Sequence, residues 1–399
     1  MRSLPDDERR ARLARRHALH PDHRVDGPVA ATRALTVLHA TEQATPYLSV
    51  HARTTSTPLG DVDAALFQER SLVKHPAMRR TIFAFPRDLL PAALGSASAR
   101  VAAEEGRRLV RDAEHHGIAD DGAVWLEAAA RAVLDRLAGS PPLTARQLRE
   151  ELPELAGTTT TGNLDKRWGR TAPVAPRVLT MLWAEGRITR GPNAGSWRVS
   201  RPTWTLMTDW LGAPLDPTST EEGYAELVRR WLGSFGPGTE DDLVWWLGST
   251  KTAVRAALAD VGAVRVALDG GAHGWVLPGD DEEEGPVGPW AALLPTLDAT
   301  TMGWRGRDFY LDPRDVPYLF DTNGNAGNTA WWDGRIAGAW AQDPDGTVRV
   351  VLLPGGEERV PPEGREALDR EAARLSAWLD GEVVTNVYAS RLMRGERLP

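Results

Sequence analysis

The chain has 399 residues, 42% of them hydrophobic and 26% charged, with a formal net charge of −8; this is a globular composition, which excludes a disordered or fibrous class, and the length asks for two to four domains. The absence of cysteine removes disulfide frameworks, thiolate metal sites and cysteine nucleophiles from consideration. No apolar h-region with a cleavage site opens the sequence and no stretch approaches the ~18 apolar residues of a spanning helix, so a cytoplasmic protein with no membrane partner is expected.

A net acidic balance speaks against nucleic acid only when it is uniform. Asp280-Asp281-Glu282-Glu283-Glu284 concentrates five negative charges, whereas residues 144–201 carry ten basic against five acidic side chains, a local excess of five.

Taken in order, residues 1–20 interleave Arg9, Arg10, Arg12, Arg15 and Arg16 with Leu13 and Leu19. That pattern predicts a short basic helix, either solvated or contacting phosphate. Pro28 suits the first turn of a helix that runs to Leu38, and Asp61 begins another that reaches Arg70. Two short strands, 72–75 and 81–85, follow around a turn at 76–80. Helix, helix and hairpin is a winged-helix layout.

Residues 89–137 read as Ala-rich connecting helices broken near Gly117 to Gly122. Thr144 caps a turn of helix, 176–183 is a second helix, and 187–190 with 196–199 flank Gly191-Pro192-Asn193-Ala194-Gly195 as a second wing. A third copy comprises a helix at 221–235, the breaker Gly236-Pro237-Gly238, a Thr239/Asp242 capping box, a helix at 251–261 and a hairpin around Asp269-Gly270-Gly271. From Trp290 on, short apolar runs separated by Gly, Asn and Asp predict a small antiparallel barrel, with a helix at 363–379 and a last strand at 382–388. The expected class is α+β: three tandem winged-helix modules followed by an antiparallel β-barrel, divided as 1–88, 89–215, 216–279 and 286–399.

The stretch Leu38-His39-Ala40-Thr41-Glu42 carries the most chemistry. In extended backbone, residues i and i+2 face one side, which would place His39 beside Thr41 with Glu42 next to them. An imidazole with an ordinary pKa of ~6.5 is a suitable general base for water. No metal or cofactor is expected: His115 and His116 are adjacent and do not converge on one ion, and residues 321–328 lack the Lys-Ser/Thr of a phosphate loop. Candidate DNA contacts are Arg79, Arg80, Lys166, Arg167, Arg170, Arg187, Arg190, Arg198, Lys251 and Arg255, because arginine forks match phosphate. Arg305 and Arg307 beside Trp304 form a candidate DNA-touching hairpin.

Several blocks together resemble one family. Leu38-His39-Ala40-Thr41, Pro46-Tyr47-Leu48-Ser49-Val50-His51-Ala52-Arg53, Met78-Arg79-Arg80-Thr81-Ile82-Phe83, Phe235-Gly236-Pro237-Gly238-Thr239, Leu294-Pro295-Thr296-Leu297-Asp298 and Trp332-Asp333-Gly334-Arg335-Ile336-Ala337-Gly338 look like the AlkZ/YcaQ winged-helix DNA glycosylases. The resemblance implies a monomer that binds double-stranded DNA and hydrolyses the N-glycosidic bond of N7- or N3-alkylated purines. It also implies unhooking of cross-links and self-resistance to a genotoxin as possible roles. Tyr47 and Arg53 fall in its blocks as DNA-binding positions. Its polar-apolar-polar triplet, usually Gln-Φ-Gln or Gln-Φ-Asp, corresponds to His39, Ala40 and Thr41. Because the triplet is substituted, a non-catalytic winged-helix regulator or adduct sensor is the second reading.

Overall fold

The computed structural model describes residues 1–161 and 170–396. Its chain divides into two compact units: Met1–Val73, Phe83–Arg87 and Tyr224–Pro399 form the first, and Lys74–Ile82 with Asp88–Gly223 form the second.

In the first unit the helices Gly27–Ala34 and Thr45–Arg53 flank the two-residue strand Leu38–His39. That strand pairs antiparallel with Ile82–Pro86, placing Leu38 opposite Ala84 and His39 opposite Phe83. The helix expected from Asp61 starts at Leu59 and, after Asp63, continues as a wider π-type turn through Gln68. Further on, Thr220–Phe235, Glu240–Leu247 and Lys251–Asp260 precede the hairpin Val264–Leu268 and His273–Val276. Gly238 follows the first of these helices because a Cβ there would run into the Trp231 indole. Thr239 and Asp242 cap each other reciprocally, as their spacing predicts.

Two expectations fail at the N-terminus. The basic helix Asp6–Arg16 is neither a solvated lead-in nor a phosphate arm, because it holds the acidic run. Arg12, 1% exposed as a side chain, bonds Glu8, the Asp280 side chain and the Glu282 carbonyl. Arg16 grips Asp280 through both nitrogens at 2.6 and 2.9 Å and also pairs with Glu284. Ser3–Leu4 adds a parallel strand beside Val264–Leu268. The most acidic stretch of the chain is thereby largely neutralised from within.

The barrel also fails. Ala291–Leu294, Thr329–Trp332, Arg335–Gln342 and Val348–Leu352 form an open antiparallel sheet in that order, and its two outer strands are not paired with each other. The helix Pro362–Leu379 packs on this sheet and buries Leu368, Leu375 and Leu379, so its apolar face is covered without closure. Residues 309–311 lie in turns and 382–388 form no strand. Periodicity suggested strands there because short apolar runs also serve irregular segments that plug a core.

The second unit packs Ala99–His115, Gly122–Leu137 and Ala175–Ala184 around Leu109, Val133, Val178, Leu179 and Trp183. Thr144 caps Ala145–Glu151 in a full capping box with Gln147. Its hairpin uses Ile188–Asn193 and Pro202–Leu206. Residues 196–199, expected as the second strand, lie instead in the long tip of that hairpin and make only one isolated bridge. No described helix is long and apolar enough to cross a membrane.

Candidate active site

The loop after Leu38–His39 is built from both ends. Leu38 and Ala40 are buried, fixing the strand, and Pro46 lies in the first turn of Thr45–Arg53, so 41–44 is a short bend between two anchored elements. The ring of His39 is edge-on to Phe83 at 5.1 Å, and the residue is 3% exposed. Thr41 is half-buried. Phe83 on the paired strand lies against the imidazole, so of the two side chains expected to share one open space only Thr41 keeps appreciable exposure. The Glu42 carboxylate is 8% exposed and accepts backbone N–H bonds from Val387 at 2.8 Å and Tyr388 at 3.3 Å. Burial pushes its pKa up, and the two amides offset that only in part.

Beneath the loop lies a polar network whose block was legible but whose role was not. Arg53 and Asp298 are both fully buried and form a two-pronged pair at 2.7 and 2.9 Å. Ser49 Oγ and the Thr300 N–H also donate to Asp298, and Arg53 reaches Thr300 Oγ1. Burial alone would raise the Asp298 pKa, but the Arg53 charge and these donors hold it below the usual range. His17 continues the chain, with Nδ1 2.8 Å from Thr300 Oγ1 and Nε2 3.1 Å from the Ser234 carbonyl. A carbonyl can only accept, so Nε2 carries the proton and Nδ1 takes the hydroxyl's. Thr45 Oγ1 donates to the Thr296 carbonyl. The helix Thr45–Arg53 that follows the 38–42 stretch is thus bolted to 296–300.

Three candidate DNA residues are corrected by this packing. Arg53 is committed to Asp298 and has no surface. Tyr47 is fully buried, and its hydroxyl donates to Asp63 at 2.6 Å. Trp304 is 3% exposed, donates its indole N–H to the Phe235 carbonyl and packs among Phe235, Trp231, Phe309 and His17, so it is a core residue. Beside it, Arg307 lies over the rings of Phe320 and Trp245, whereas Arg305 is exposed.

In the second unit Arg190 is also a packing residue. Its guanidinium lies 4.4 Å from the centre of the Trp183 ring, and burial pulls its pKa down to about 10. Arg79 and Arg80 occupy the tip of the 76–82 turn with positive φ, and Arg80 pairs with Glu105. Arg187 faces Glu185 at 3.6 Å, and Arg198 sits in the tip of the second hairpin. Arg170 lies in the strand Arg170–Pro173. Lys166 and Arg167 lie outside the described residues.

Lys251 and Arg255, on the helix Lys251–Asp260, are more than half exposed, and their partners are Asp241 and Glu240 on the preceding helix. Such exposed pairs add little to stability, so a phosphate can replace the carboxylate. Reversing both charges (Lys251→Glu, Arg255→Glu) is expected to weaken duplex binding and to flatten the plot of log affinity against log salt by about 2, or ~0.9 for each lost phosphate contact. An unchanged slope in a fluorescence-anisotropy titration would remove this helix from the interface.

The buried histidines set an acid limit. Burial lowers the pKa of His17 and of His75 to about 3, against 6.5 for an unburied imidazole. Between those values the unfolded chain binds protons that the folded chain refuses, so stability falls as pH drops from ~6.5 toward 3. Loss of the Arg53–Asp298 pair on carboxyl protonation acts in the same direction. The melting temperature is expected to fall steadily from pH 7 to pH 5 in a thermal-shift series, and a flat profile would contradict the neutral burial of these rings.

A cavity of about 800 Å³ lies in the first unit among Arg10, Trp290, Tyr310, Trp332, Arg335 and Arg359, and none of His39, Thr41 or Glu42 lines it. Of residues 39–44 only the half-buried Thr41 is open to what binds there.

The class of protein to which the chain's sequence assigns it is the DNA glycosylases. The AlkZ-like DNA glycosylase family model matches residues 32–378, and the chain belongs to that family. The interstrand DNA cross-link repair glycosylase of Streptomyces sahachiroi is 27% identical over 207 residues, which span 50% of this chain and 53% of that relative. The solved structure of the Streptomyces sahachiroi DNA glycosylase AlkZ superposes with a TM-score of 0.74 at 20% identity, covering 94% of this chain and 98% of that one, and so shares the fold.

Proposed function

We propose that the protein is a monofunctional DNA glycosylase that hydrolyses the N-glycosidic bond of alkylated purines in duplex DNA, acting as a monomer through three winged-helix modules. The modules are the helices and hairpin around 27–86, those of the second unit ending in the 188–206 hairpin, and those of 220–276. The observation that carries the reading is the position of His39, Ala40 and Thr41: a polar-apolar-polar triplet at a strand end, inside the family match and held by the Arg53–Asp298 network.

An N7-alkylated purine already carries positive charge, so the base leaves neutral without a general acid. Water oxygen bonds to C1′, the C1′–N9 pair passes to the purine, and the water proton passes to the His39 imidazole. Thr41 Oγ1 holds the water, and the Glu42 carboxylate adds negative potential near the oxocarbenium-like sugar. A duplex laid on the half-buried Thr41 supplies the wall that the protein alone lacks. Bulky adducts and cross-links need not swing fully out of the stack at such an edge site.

The burial of His39 favours one competing reading, a non-catalytic DNA-binding adduct sensor. Incubation of the protein with a duplex carrying one N7-methylguanine, followed by alkali cleavage, separates them. Strand breaks at the lesion are expected, and binding without breaks would establish the sensor.

A further inference from the structure

The family match ends at residue 378, yet the chain after it is not idle. From 382 to 396 it runs without regular structure but is fastened along its length. The Gln342 side chain bonds the Val384 N–H and the Glu382 carbonyl, Asn386 meets Thr296, and the Leu392 N–H bonds the Tyr318 carbonyl. Val384, Ser390 and Leu392 are buried. Between these anchors a turn at Val387-Tyr388 comes down on the loop, where both amides are held by Glu42.

At that point the side chains do the opposite of what burial would dictate. Val387 is 80% exposed, more than any other large hydrophobic residue among those described, although its own N–H is tied to a buried carboxylate. Four residues on, Arg391 is exposed and makes no ion pair among the described residues. An apolar side chain projected from a fixed backbone is what proteins use to wedge a base step, and an exposed guanidinium four residues along the same segment suits a phosphate. A single exposed valine means little; one clamped two backbone hydrogen bonds from the catalytic loop has a fixed address.

We propose that residues 386–391 form a DNA-contacting wall of the glycosylase site, with Val387 as an apolar wedge in the base stack beside the lesion, Arg391 on the neighbouring phosphate, and Glu42 as the residue that positions the turn. This rests on the glycosylase reading and gives Glu42 a second task, for which its buried, doubly bonded carboxylate is suited.

The test uses the full chain and a duplex with 2-aminopurine next to a tetrahydrofuran abasic-site analogue, which needs no turnover. Saturating wild-type protein should raise the fluorescence several-fold by unstacking the probe. Val387→Gly and Glu42→Ala should each lose at least half of that rise, whereas Glu42→Gln, which keeps an acceptor for the two amides, should retain it; Arg391→Ala should weaken binding and lower the salt slope by about 1. Because Val387 is exposed, Val387→Gly should melt with the wild type. No rise with wild type, an undiminished rise with Val387→Gly, or Glu42→Gln behaving like Glu42→Ala would overturn the proposal. Base release by the wild type, measured in parallel, separates the two ideas: release with no Val387 effect sinks the wedge alone, and a Val387-dependent rise without release sinks the glycosylase reading alone.

Discussion

Asp298→Ala is expected to cost about 3–5 kcal/mol of stability, the largest effect of any single change in the first unit, because it leaves the Arg53 guanidinium charged, buried and unmatched. Asp298→Asn should be nearly as damaging, since the amide keeps the shape and loses the charge. Replacing both partners at once (Arg53→Met, Asp298→Leu) should recover much of the loss, because a packed apolar pair leaves no stranded ion. Urea denaturation of the four proteins decides the matter: if Asp298→Ala costs less than ~1 kcal/mol, the network is not what holds the helix Thr45–Arg53. The change also reaches the site, because Ser49, Arg53 and Thr45 all lie on the helix that begins four residues after Thr41.

His39→Ala is expected to lower the rate constant for base release by about 10²–10⁴-fold, the range of a positioned general base, with little change in duplex affinity. Thr41→Val removes one hydrogen bond to the attacking water and should cost roughly tenfold, or ~1.4 kcal/mol. His39→Gln restores the residue usual in the family, and its amide oxygen can orient water, so it should retain most of the activity that His39→Ala loses. Single-turnover kinetics at saturating enzyme make the comparison. Equal rates for His39→Ala and wild type would show that Phe83 and its neighbours bury His39 as a packing residue only.

What the sequence made legible follows from locality. The Thr239/Asp242 capping pair, the Thr144 cap, the breaker around Gly238 and the hairpins at 72–86 and 264–276 are set by residues within a few positions of one another, and all form as expected; Gln147 adds the other half of the Thr144 capping box. Partnerships across long separations were not legible. Arg12 and Arg16 could be read as phosphate ligands because the Asp280 carboxylate that both reach lies more than 260 residues away, although Arg12 also meets Glu8 one turn back. Arg53 looked surface-bound for the same reason, although Asp298 stood in a block that the family resemblance had already marked. Trp304 and Arg190 show the converse: beside Arg or Trp neighbours they read as DNA contacts, and the structure spends them on ring packing. The barrel failed because alternating apolar runs specify strands and a covered face, while closure depends on whether the outer strands meet or a helix takes the face first.

The residues of the proposed water-delivering loop stand out in the sequence, but their setting does not. The i, i+2 argument places His39 and Thr41 on one side only while the backbone stays extended, and the regular strand stops at His39. Nothing local to Glu42 indicates that its carboxylate is occupied by amides some 345 residues later.

The His39–Thr41 loop is proposed to deliver water to the sugar of an alkylated purine. The most direct measurement is the chromatographic and mass-spectrometric recovery of free 7-methylguanine from a defined N7-methylguanine duplex, with wild type and His39→Ala side by side. Stoichiometric or greater release of the intact base by the wild type, reduced at least a hundredfold in the variant, is the predicted result. A duplex that stays tightly bound while no free base appears would contradict it.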